Sequence, residues 1–394
     1  MVHQYKLNGY NIVLDTCSGS VHCVDEVAYD IIAMYKNAEK EEIVSAMLEK
    51  YGEREDVTRE DLLACLDDVA ALEEAGKLFS EDQYEKLAFD YKNNSNVVKA
   101  LCLHIAHTCN LNCSYCFASQ GKYQGERALM SFEVGKQAFD FLNKEMSNVV
   151  LSLDGRRDVH DHFRKDYKGN GSYDLILPKF KNFVEKREGK NYYMRGTFTH
   201  NNTDFTKDIF HMADMGFTEL SMEPVVCPPG DPYALTNEDL PKLFEEYEIL
   251  AKEMIKRKKE GRPFTFYHYM LDLKNGPCIY KRITGCGSGT EYMAVTPWGE
   301  LFPCHQFVGD EKYSLGNIWD GVKNTAIQEE FRKCNAYSRP ECDKCWARLY
   351  CSGGCAANSY HATGSISGVY EYGCELFKKR IECAIMMQIA EEEE

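Results

Sequence analysis

The chain lacks the features that would direct it to a membrane or to nucleic acid. No apolar run approaches the roughly 18 residues that a membrane-spanning helix requires. The opening residues, Met1 to Lys6, contain no apolar signal core, so we expect a cytoplasmic protein. A basic stripe is also missing, and the net charge of −16 argues against a nucleic-acid surface. Local basic patches for anionic cofactors are compatible with this charge.

The chain contains almost no segment with the composition of a disordered region, whereas cysteine is abundant. Only the short acidic end, Glu391–Glu394, resembles a disordered tract. Apolar residues form 44% of the 394 residues, enough for a large core and two or three domains. Because a reducing compartment disfavours disulfides, the 18 cysteines are predicted to include metal ligands wherever they are closely spaced. Cys65 and Cys102, which lie within apolar patterns, are predicted to be core thiols.

Residues 1–80 are interpreted as a small separate module. An Asn8-Gly9 turn joins two apolar strands within Tyr5–Leu14. Three helices are predicted after it, over Val24–Asn37, Lys40–Tyr51 and Thr58–Leu78, with Thr58 as an N-cap. A hairpin with three helices is typical of winged-helix folds. The acidic composition favours a peptide over DNA, bound as an added strand at an exposed edge, although the module could also serve only as a packing appendage.

An alternation of strands and helices begins at Val97, after a polar linker over residues 81–96. The predicted strands are Lys99–Ile105, Val149–Leu153, Tyr192–Thr199 and Glu219–Val225. The predicted helices are Ser131–Met146, Leu175–Arg187, Phe205–Met215 and Asn237–Lys259. Such alternation predicts an α/β fold with a parallel sheet over residues 97–260. Residues 261–394 are rich in Cys, Gly and turns, so we expect metal rather than apolar burial to organise this last domain.

The first group of cysteines follows a predicted strand directly. Cys109, Cys113 and Cys116 have the spacing Cys-x3-Cys-x2-Cys. Three thiolates on such a loop can hold three irons of an iron–sulfur cubane and leave the fourth iron open. The carboxyl end of a parallel strand is where such folds place their chemistry. The alternative is a zinc knuckle in which His107 completes the ligand set.

The second group of cysteines lies in the last domain. Cys286 and Cys304 flank a predicted hairpin over Tyr292–Phe302. The remaining members follow the pattern Cys342-x2-Cys345-x5-Cys351-x3-Cys355-x18-Cys374. Seven cysteines are too many for one tetrahedral ion, so two clusters or two metal ions are predicted. Two structural zinc sites are the alternative.

The first motif, with the aromatic Tyr115 before its last cysteine, resembles the signature of the radical SAM superfamily. That resemblance implies that the open iron binds S-adenosylmethionine and that Tyr115 lies beside the cofactor. It also implies that reduction of the cluster generates a 5′-deoxyadenosyl radical, which abstracts a hydrogen atom from the substrate. Such a radical requires a site that excludes water.

The cysteines of the last domain resemble a SPASM domain, which implies two auxiliary 4Fe–4S clusters and three clusters in total. By this resemblance, the second auxiliary cluster would be held by Cys342, Cys345, Cys351 and Cys374. The first would be held by Cys286, Cys304 and Cys355. Its fourth ligand would be Cys278 or a substrate thiolate. Cys334 and Cys383 lie outside the pattern.

The two ends of the chain extend the resemblance. Residues 1–80 resemble a RiPP recognition element, which binds leader peptides. Segments Gly276–Cys286, Glu291–Gly309 and Val149–Asp158 resemble the six-cysteine peptide (SCIFF) maturases. This implies thioether bonds from Cys sulfur to α-carbon in a Cys-rich precursor peptide, with a flavodoxin-type or ferredoxin-type electron donor. Alternatives are a carbon–carbon cross-linking enzyme, a sulfatase-type maturase that oxidises Cys or Ser, and a non-catalytic iron–sulfur peptide-binding protein.

The chain departs from the radical SAM pattern in the length of its barrel. Leu101 to Pro224 spans 124 residues, enough for about four strand–helix units where the resemblance implies about six. The second and third strands, and the Gly-Gly-Glu-Pro-type motif with them, are missing between Met146 and Val149. We therefore expect a partial (β/α)6 barrel that exposes strand edges or pairs Lys99–Ile105 with Val149–Leu153.

Cofactor contacts in the shortened barrel are implied by resemblance alone. The residues concerned are Ser152, Asp154, Arg195, Glu223 and Val225. Each has a simpler alternative as well. Asp154-Gly155 is a turn signal, Arg195 could pair with a surface carboxylate, and Glu223 before Pro224 could merely end a strand.

Overall fold

The computed structural model describes residues 1–90, 100–103, 107, 109, 111–116, 118–119, 123, 148–227, 230–273 and 279–392. The predicted helix Ser131–Met146 and Cys278 lie outside the described residues. Among the described helices, none combines the length and the hydropathy needed to cross a bilayer.

The N-terminal module opens with a three-stranded antiparallel sheet. Its strands are β1 (Val2–Leu7), β2 (Tyr10–Asp15) and β3 (Val21–Val24), in the order β1-β2-β3. The predicted turn is confirmed: Asn8 and Gly9 both have positive φ, at 52° and 86°. Strand β3 was not predicted, because the helical pattern of the sequence extends back to Val24. The helix begins later, where the Asp25 side chain accepts a hydrogen bond from the Ala28 N–H.

Three helices cover one face of this sheet. They are α1 (Glu26–Met34), α2 (Lys40–Tyr51) and α3 (Arg59–Glu74). The predicted N-cap is confirmed, because Thr58 and Asp61 form a capping box at the start of α3. Val13, Ile31, Val44 and Leu62 are buried together in the apolar core of the module, and Cys65 packs against it.

A four-stranded parallel sheet forms the centre of the molecule. Its strands are β5 (Asn148–Ser152), β6 (Asn191–Phe198), β7 (Glu219–Pro224) and β8 (Thr265–Phe266), in that order. The helices between or after these strands are α5 (Arg157–Phe163), α6 (Tyr173–Lys186), α7 (Thr206–Asp214) and α8 (Leu240–Lys259). The predicted parallel α/β arrangement is confirmed.

The strand before the first cysteine motif does not pair with β5, so of the two expected outcomes, exposed strand edges or this pairing, the pairing was wrong. Strand β4 (Ala100–Leu103) pairs in parallel with β9 (Tyr292–Val295) of the C-terminal hairpin. Both strands thereby satisfy backbone groups that a free edge would leave unpaired. Within the described part of the chain, β5 stands at the end of its sheet. Cys102 packs against the hairpin, beside Phe302.

The C-terminal region is built from short elements and one long helix. Its strands continue with β10 (Glu300–Phe302), β11 (Gly316–Asn317) and β12 (Gly321–Val322), which form one sheet with β9 and β4. Its helices are α9 (Ile279–Thr284), α10 (Thr325–Lys333), α11 (Arg348–Cys351), α12 (Ala356–Thr363) and α13 (Glu371–Glu392). The short helix α4 (Glu85–Ala88) precedes the central region.

Apolar burial in the C-terminal region is larger than the weak core pattern of its sequence indicates. Phe307, Tyr313 and Phe331 are each about 1% exposed and form a local cluster. Helix α13 packs along α8 and contributes Ile385 to the main core. The pattern is weak because the apolar residues are spread over many short elements, which show no period.

The two faces of the central sheet differ in burial. Along β6, Met194 and Phe198 are fully buried beneath the helices. Side chains alternate between the two faces along the strand, and Arg195, next to Met194, is exposed on the opposite face. The face that bears Arg195 is called the open face below, and it carries the polar residues of the candidate site.

Candidate active site

The first cysteine group occupies a loop between β4 and β5. Cys113 is buried, whereas Cys109 and Cys116 are half-buried. The Leu111 N–H donates to the Cys109 Sγ over 3.4 Å. Burial raises the pKa of the Cys113 thiol to about 11, and the charges of Cys116 and Cys109 contribute in the same direction. The three thiols therefore lie within electrostatic reach of one another.

Backbone contacts anchor this loop to the central domain. The Asn112 N–H donates to the carbonyl of Lys165 over 2.7 Å. On the other side, the Tyr233 hydroxyl donates to the carbonyl of Ser114 over 2.8 Å. Because both sides of the loop are already fixed, the loop loses little conformational entropy when a ligand binds to its thiols.

Asp154 is the centre of a buried network that the loop shares with the sheet. Its carboxylate is fully buried and accepts a hydrogen bond from the Tyr115 hydroxyl over 2.5 Å. The Arg164 guanidinium donates to both carboxylate oxygens, over 2.7 and 2.9 Å. The Thr197 N–H donates a fourth hydrogen bond over 3.1 Å. The network fixes the position of Tyr115 relative to the central sheet.

A buried histidine extends this network. The Asp154 N–H donates to His160 Nδ1 over 3.2 Å, so Nδ1 must be the unprotonated nitrogen. The other ring nitrogen, Nε2, lies 3.0 Å from the Ser172 hydroxyl, which donates to the carbonyl of Arg164. Burial lowers the pKa of His160 to about 4. Arg164 and His160 were not singled out from the sequence, because no local motif marks them.

The predicted cofactor residues on the strands lie in register across the open face. Ser152 of β5 pairs with Arg195 of β6, and Arg195 pairs with Ser221 of β7. Ser152 and Arg195 are both exposed. Val225 lies at the end of β7, where its side chain is buried and its N–H donates to the carbonyl of Phe198 over 2.9 Å.

Glu223 carries a negative charge in a basic surrounding. Its Oε1 lies 3.2 Å from His268 Nε2, and its Oε2 lies 3.7 Å from an Arg380 nitrogen. Burial alone would raise the pKa of Glu223, but His268, Arg380 and Arg195 together lower it to about 2. Glu223 is therefore ionised at neutral pH. Sequence analysis missed His268 and Arg380, because α13 and the turn after β8 are distant from β7 in the chain.

The cysteines predicted to be auxiliary ligands lie in two places in the C-terminal region. Burial raises the pKa of the Cys304 thiol to about 12, and the charges of Cys355 and Cys286 add to the shift. These three residues lie near one another around α12. Cys334, which the pattern excluded, lines a small pocket together with Cys286. Its sulfur donates to the carbonyl of Ile366.

The second auxiliary set is assembled from the α11 region and the start of α13. Burial raises the pKa of the Cys351 thiol to about 12, with contributions from Cys374, Cys342 and Cys345. The Cys345 N–H donates to the carbonyl of Cys342 over 3.2 Å, which closes the turn of this Cys-x2-Cys pair. The structure brings all four residues together, although they span 33 positions of the chain.

These sets suit clusters in their donor chemistry. Thiolates are the preferred ligands of iron–sulfur clusters. Among the described residues, no three Cys, His, Asp or Glu side chains converge tightly enough for one metal ion. A four-iron cubane holds its thiolates farther apart than one tetrahedral ion does. The donor atoms of the three sets therefore suit iron–sulfur clusters.

A comparison with known proteins supports iron–sulfur cluster binding for the C-terminal region. Residues 286–346 match the SPASM family, described as an iron–sulfur cluster-binding domain. A cysteine-type anaerobic sulfatase-maturating enzyme of Clostridium novyi is 25% identical over 255 residues, which cover 59% of this chain and 64% of that relative. The chain thus resembles a sulfatase-maturating enzyme over 59% of its own length, and it spans 64% of the length of that relative.

Two further similarities concern peptide maturation and fold. The subtilosin biosynthesis protein AlbA of Bacillus subtilis is 32% identical over 96 residues, 22% of this chain and 21% of AlbA. The solved structure of anSMEcpe with bound AdoMet and the Cp18Cys peptide has a TM-score of 0.57 and 20% identity. That match covers 75% of this chain and 99% of the solved one, and it shows that the two share a fold.

Proposed function

We propose that this chain is a radical SAM peptide maturase that forms thioether cross-links in a ribosomally made, Cys-rich precursor peptide. The observation that carries the proposal is the grouping of ten cysteines into three separate sets beside an open, polar sheet face. Each cross-link joins a Cys sulfur to an α-carbon. It removes one hydrogen atom from each partner, so two electrons and two protons leave the peptide.

The first set would hold the catalytic cluster through Cys109, Cys113 and Cys116. Such a cluster, when bound with S-adenosylmethionine at its open iron, supplies the adenosyl radical. The protein's part is to hold the reacting groups in place. Tyr115 and Asp154 fix the loop. Ionised Glu223 can accept hydrogen bonds from the cofactor's ammonium group, and Arg195 can pair with its carboxylate.

The two auxiliary sets would hold 4Fe–4S clusters in the SPASM domain. Cys286, Cys304 and Cys355 would supply three ligands of the first auxiliary cluster and leave one iron to be filled. Cys278 or the thiolate of the substrate would take that position. A flavodoxin-type or ferredoxin-type protein would supply the first electron, and the auxiliary clusters would accept the electron left after bond formation.

The leader of the substrate would bind at strand β3. This strand is the last of the N-terminal sheet, with β2 as its neighbour on one side. Its four residues are not buried, and a peptide can add to such an edge through backbone hydrogen bonds. Strand β1, at the other edge, lies against α13.

A second candidate function is sulfatase-type oxidation of a Cys or Ser side chain. The similarity to the Clostridium novyi enzyme favours it. The N-terminal module favours a ribosomal peptide over a folded sulfatase. A carbon–carbon cross-link uses the same cofactors and differs only in the bond formed.

The test begins with the chain purified and reconstituted without oxygen. We expect iron and sulfide in the amounts of three clusters, and 5′-deoxyadenosine after reduction with S-adenosylmethionine. Co-expression with a neighbouring Cys-rich peptide should yield a product that has lost two hydrogen atoms and one free thiol for every cross-link, read by mass spectrometry. Replacement of Cys109 with alanine should abolish both products.

The outcomes separate the alternatives. A sulfatase-type reaction would convert a Cys to an aldehyde and release its sulfur. A carbon–carbon cross-link would remove two hydrogen atoms and leave every thiol free. Zinc in place of iron, or iron without formation of 5′-deoxyadenosine, would exclude radical chemistry and leave an iron–sulfur or zinc peptide-binding protein.

A further inference from the structure

The segment Cys345–Cys351, called the Cys345–Cys351 loop below although its last four residues form helix α11, is contacted by the N-terminal part of the chain. Between Cys345 and Cys351, every second residue carries a large side chain: Trp346, Arg348 and Tyr350. Each of these three meets the N-terminal part of the chain. The sequence pattern alone predicts that part to be a separate module joined by a linker.

Trp346 is covered by a histidine of strand β1. The ring of His3 stacks on the Trp346 ring with centroids 3.9 Å apart and planes inclined by 4°. His3 Nε2 also lies 3.0 Å from Glu382 Oε1 on α13. The Tyr5 hydroxyl donates to the backbone carbonyl of the same Glu382 over 3.1 Å. Strand β1 thus contacts both the loop and the helix behind it.

Arg348 is held by the segment that follows the module. Its guanidinium forms an ion pair with Asp82, and both side chains are largely withdrawn from solvent, with exposures of 13% and 20%. The Tyr337 hydroxyl donates to both oxygens of Asp82, over 3.0 and 2.9 Å. The Arg348 guanidinium lies 4.3 Å above the Tyr337 ring. Loss of Asp82 would leave the Arg348 charge largely buried without its partner, which costs more than loss of an exposed ion pair.

Tyr350 connects the loop to the apolar face of the N-terminal sheet. It shares the main core with Tyr5, Leu7, Ile12 and Leu14 of strands β1 and β2. The opposite face of the same sheet packs on the module's own helices. One sheet therefore joins the module's core to the core of the whole molecule.

We propose that His3, Asp82 and the inner face of the N-terminal sheet position the Cys345–Cys351 loop, so that the N-terminal module forms part of the second auxiliary cluster's site. This inference rests on the proposed function, which assigns a cluster to Cys342, Cys345, Cys351 and Cys374. Ligand loops are ordered partly by their metal and partly by the surrounding protein. Docking of the N-terminal module supplies the contribution of the surrounding protein to the ordering of the Cys345–Cys351 loop.

Thermodynamic linkage makes the relation reciprocal. If docking favours the cluster, then the cluster must favour docking by the same factor. Docking of the leader-binding module and binding of the electron-accepting cluster would then each favour the other. His3 and Asp82 are positioning residues in this scheme, because they act through Trp346 and Arg348 rather than on the cluster itself.

The first test measures how firmly the iron is held. We expect the double variant His3→Ala, Asp82→Asn of the reconstituted chain to release one cluster's iron to a chelator at least about tenfold faster than the parent. The remaining iron should be released at the parent rate. The matched control is His22→Ala, Asp68→Asn, which alters the same residue types on the module away from the loop. The milder variant His3→Phe keeps a ring on Trp346 and should retain most of the parent behaviour.

The reciprocal test measures docking of the module. Hydrogen exchange at Val2–Leu7 should accelerate in a Cys345→Ser variant and stay unchanged in a Cys286→Ser variant, which affects only the first auxiliary set. Equal iron release from the double variant and its control, or unchanged exchange in Cys345→Ser, would overturn the inference while the proposed function stands. A parent chain that binds no auxiliary iron would overturn both.

Discussion

The Tyr115 hydroxyl donates a hydrogen bond to Asp154 Oδ2 over 2.5 Å, and through it the first cysteine loop is joined to the central sheet. Tyr115 lies between Cys113 and Cys116 in the chain, so its hydrogen bond also limits the positions of these two cysteines. Asp154 follows strand β5 and is held in turn by Arg164. The signature's aromatic residue, which the resemblance places beside a cofactor, thus has a structural partner in this chain.

Replacement of Tyr115 with phenylalanine should weaken this connection. The variant loses a hydrogen bond to a buried carboxylate, which retains its bonds to Arg164 and Thr197. We expect a loss of about 2 kcal/mol in the free energy of unfolding, measured by denaturant titration without oxygen. The matched control is Tyr167→Phe, since Tyr167 is 50% exposed. Equal stability of the two variants would contradict a structural role for the Tyr115 hydroxyl.

The buried His160 should make stability fall with acidity. Burial lowers the pKa of His160 to about 4 in the folded chain, below the unfolded value of about 6.5. The neutral form is favoured by folding, so this contribution is complete above about pH 6.5 and is lost as pH falls toward 4. We expect about 2 kcal/mol to be lost between about pH 7 and 5.

The variant His160→Asn should show a smaller loss over the same pH range. The asparagine amide does not titrate, and its oxygen can accept the Asp154 N–H in place of Nδ1. The exposed neighbour His162 provides the control, because His162→Asn should retain the pH dependence of the parent. A steep decline that persists in His160→Asn would assign the pH dependence to other groups.

The charged residues of the open face should govern binding of S-adenosylmethionine. We expect Arg195→Gln and Glu223→Gln each to weaken binding by about tenfold or more, because each loses a charge-assisted hydrogen bond to the cofactor. Equilibrium dialysis with the reconstituted chain measures this directly. Arg157→Gln serves as control, since the Arg157 side chain is 62% exposed on the outer surface. Unchanged affinity in both variants would remove the open face from the cofactor site.

Cys334 and Cys383, which lie outside the two auxiliary sets, should be dispensable for iron binding in the C-terminal region. We expect Cys304→Ala to lose about four irons for every chain, the content of one cluster. Cys334→Ala and Cys383→Ala should retain the parent iron content, measured with sulfide after reconstitution. Cys334 already donates to the carbonyl of Ile366, and Cys383 is fully buried in the main core. Loss of iron in Cys334→Ala would make Cys334 the missing fourth ligand.

Local signals in the sequence determined the turns, caps and strand positions that depend on near neighbours. The Asn8-Gly9 hairpin and the Thr58 cap are examples, since each requires only a few adjacent residues. The spacing of Cys109, Cys113 and Cys116 likewise defines a ligand loop, because the three thiols lie within eight consecutive residues. The predicted limits of strands β6 and β7 lie within one residue of their observed ends.

Tertiary structure alone decided which distant segments meet. Several contacts join parts of the chain that are far apart in sequence. They are the pairing of β4 with β9, the contact of Glu223 with His268 and Arg380, and the stacking of His3 on Trp346. Such contacts leave no periodic or motif signal, because they depend on the shape and hydrogen-bonding needs of surfaces that exist only after folding. The motifs of the chain therefore predict its chemistry, and only the folded packing shows which distant residues surround those motifs.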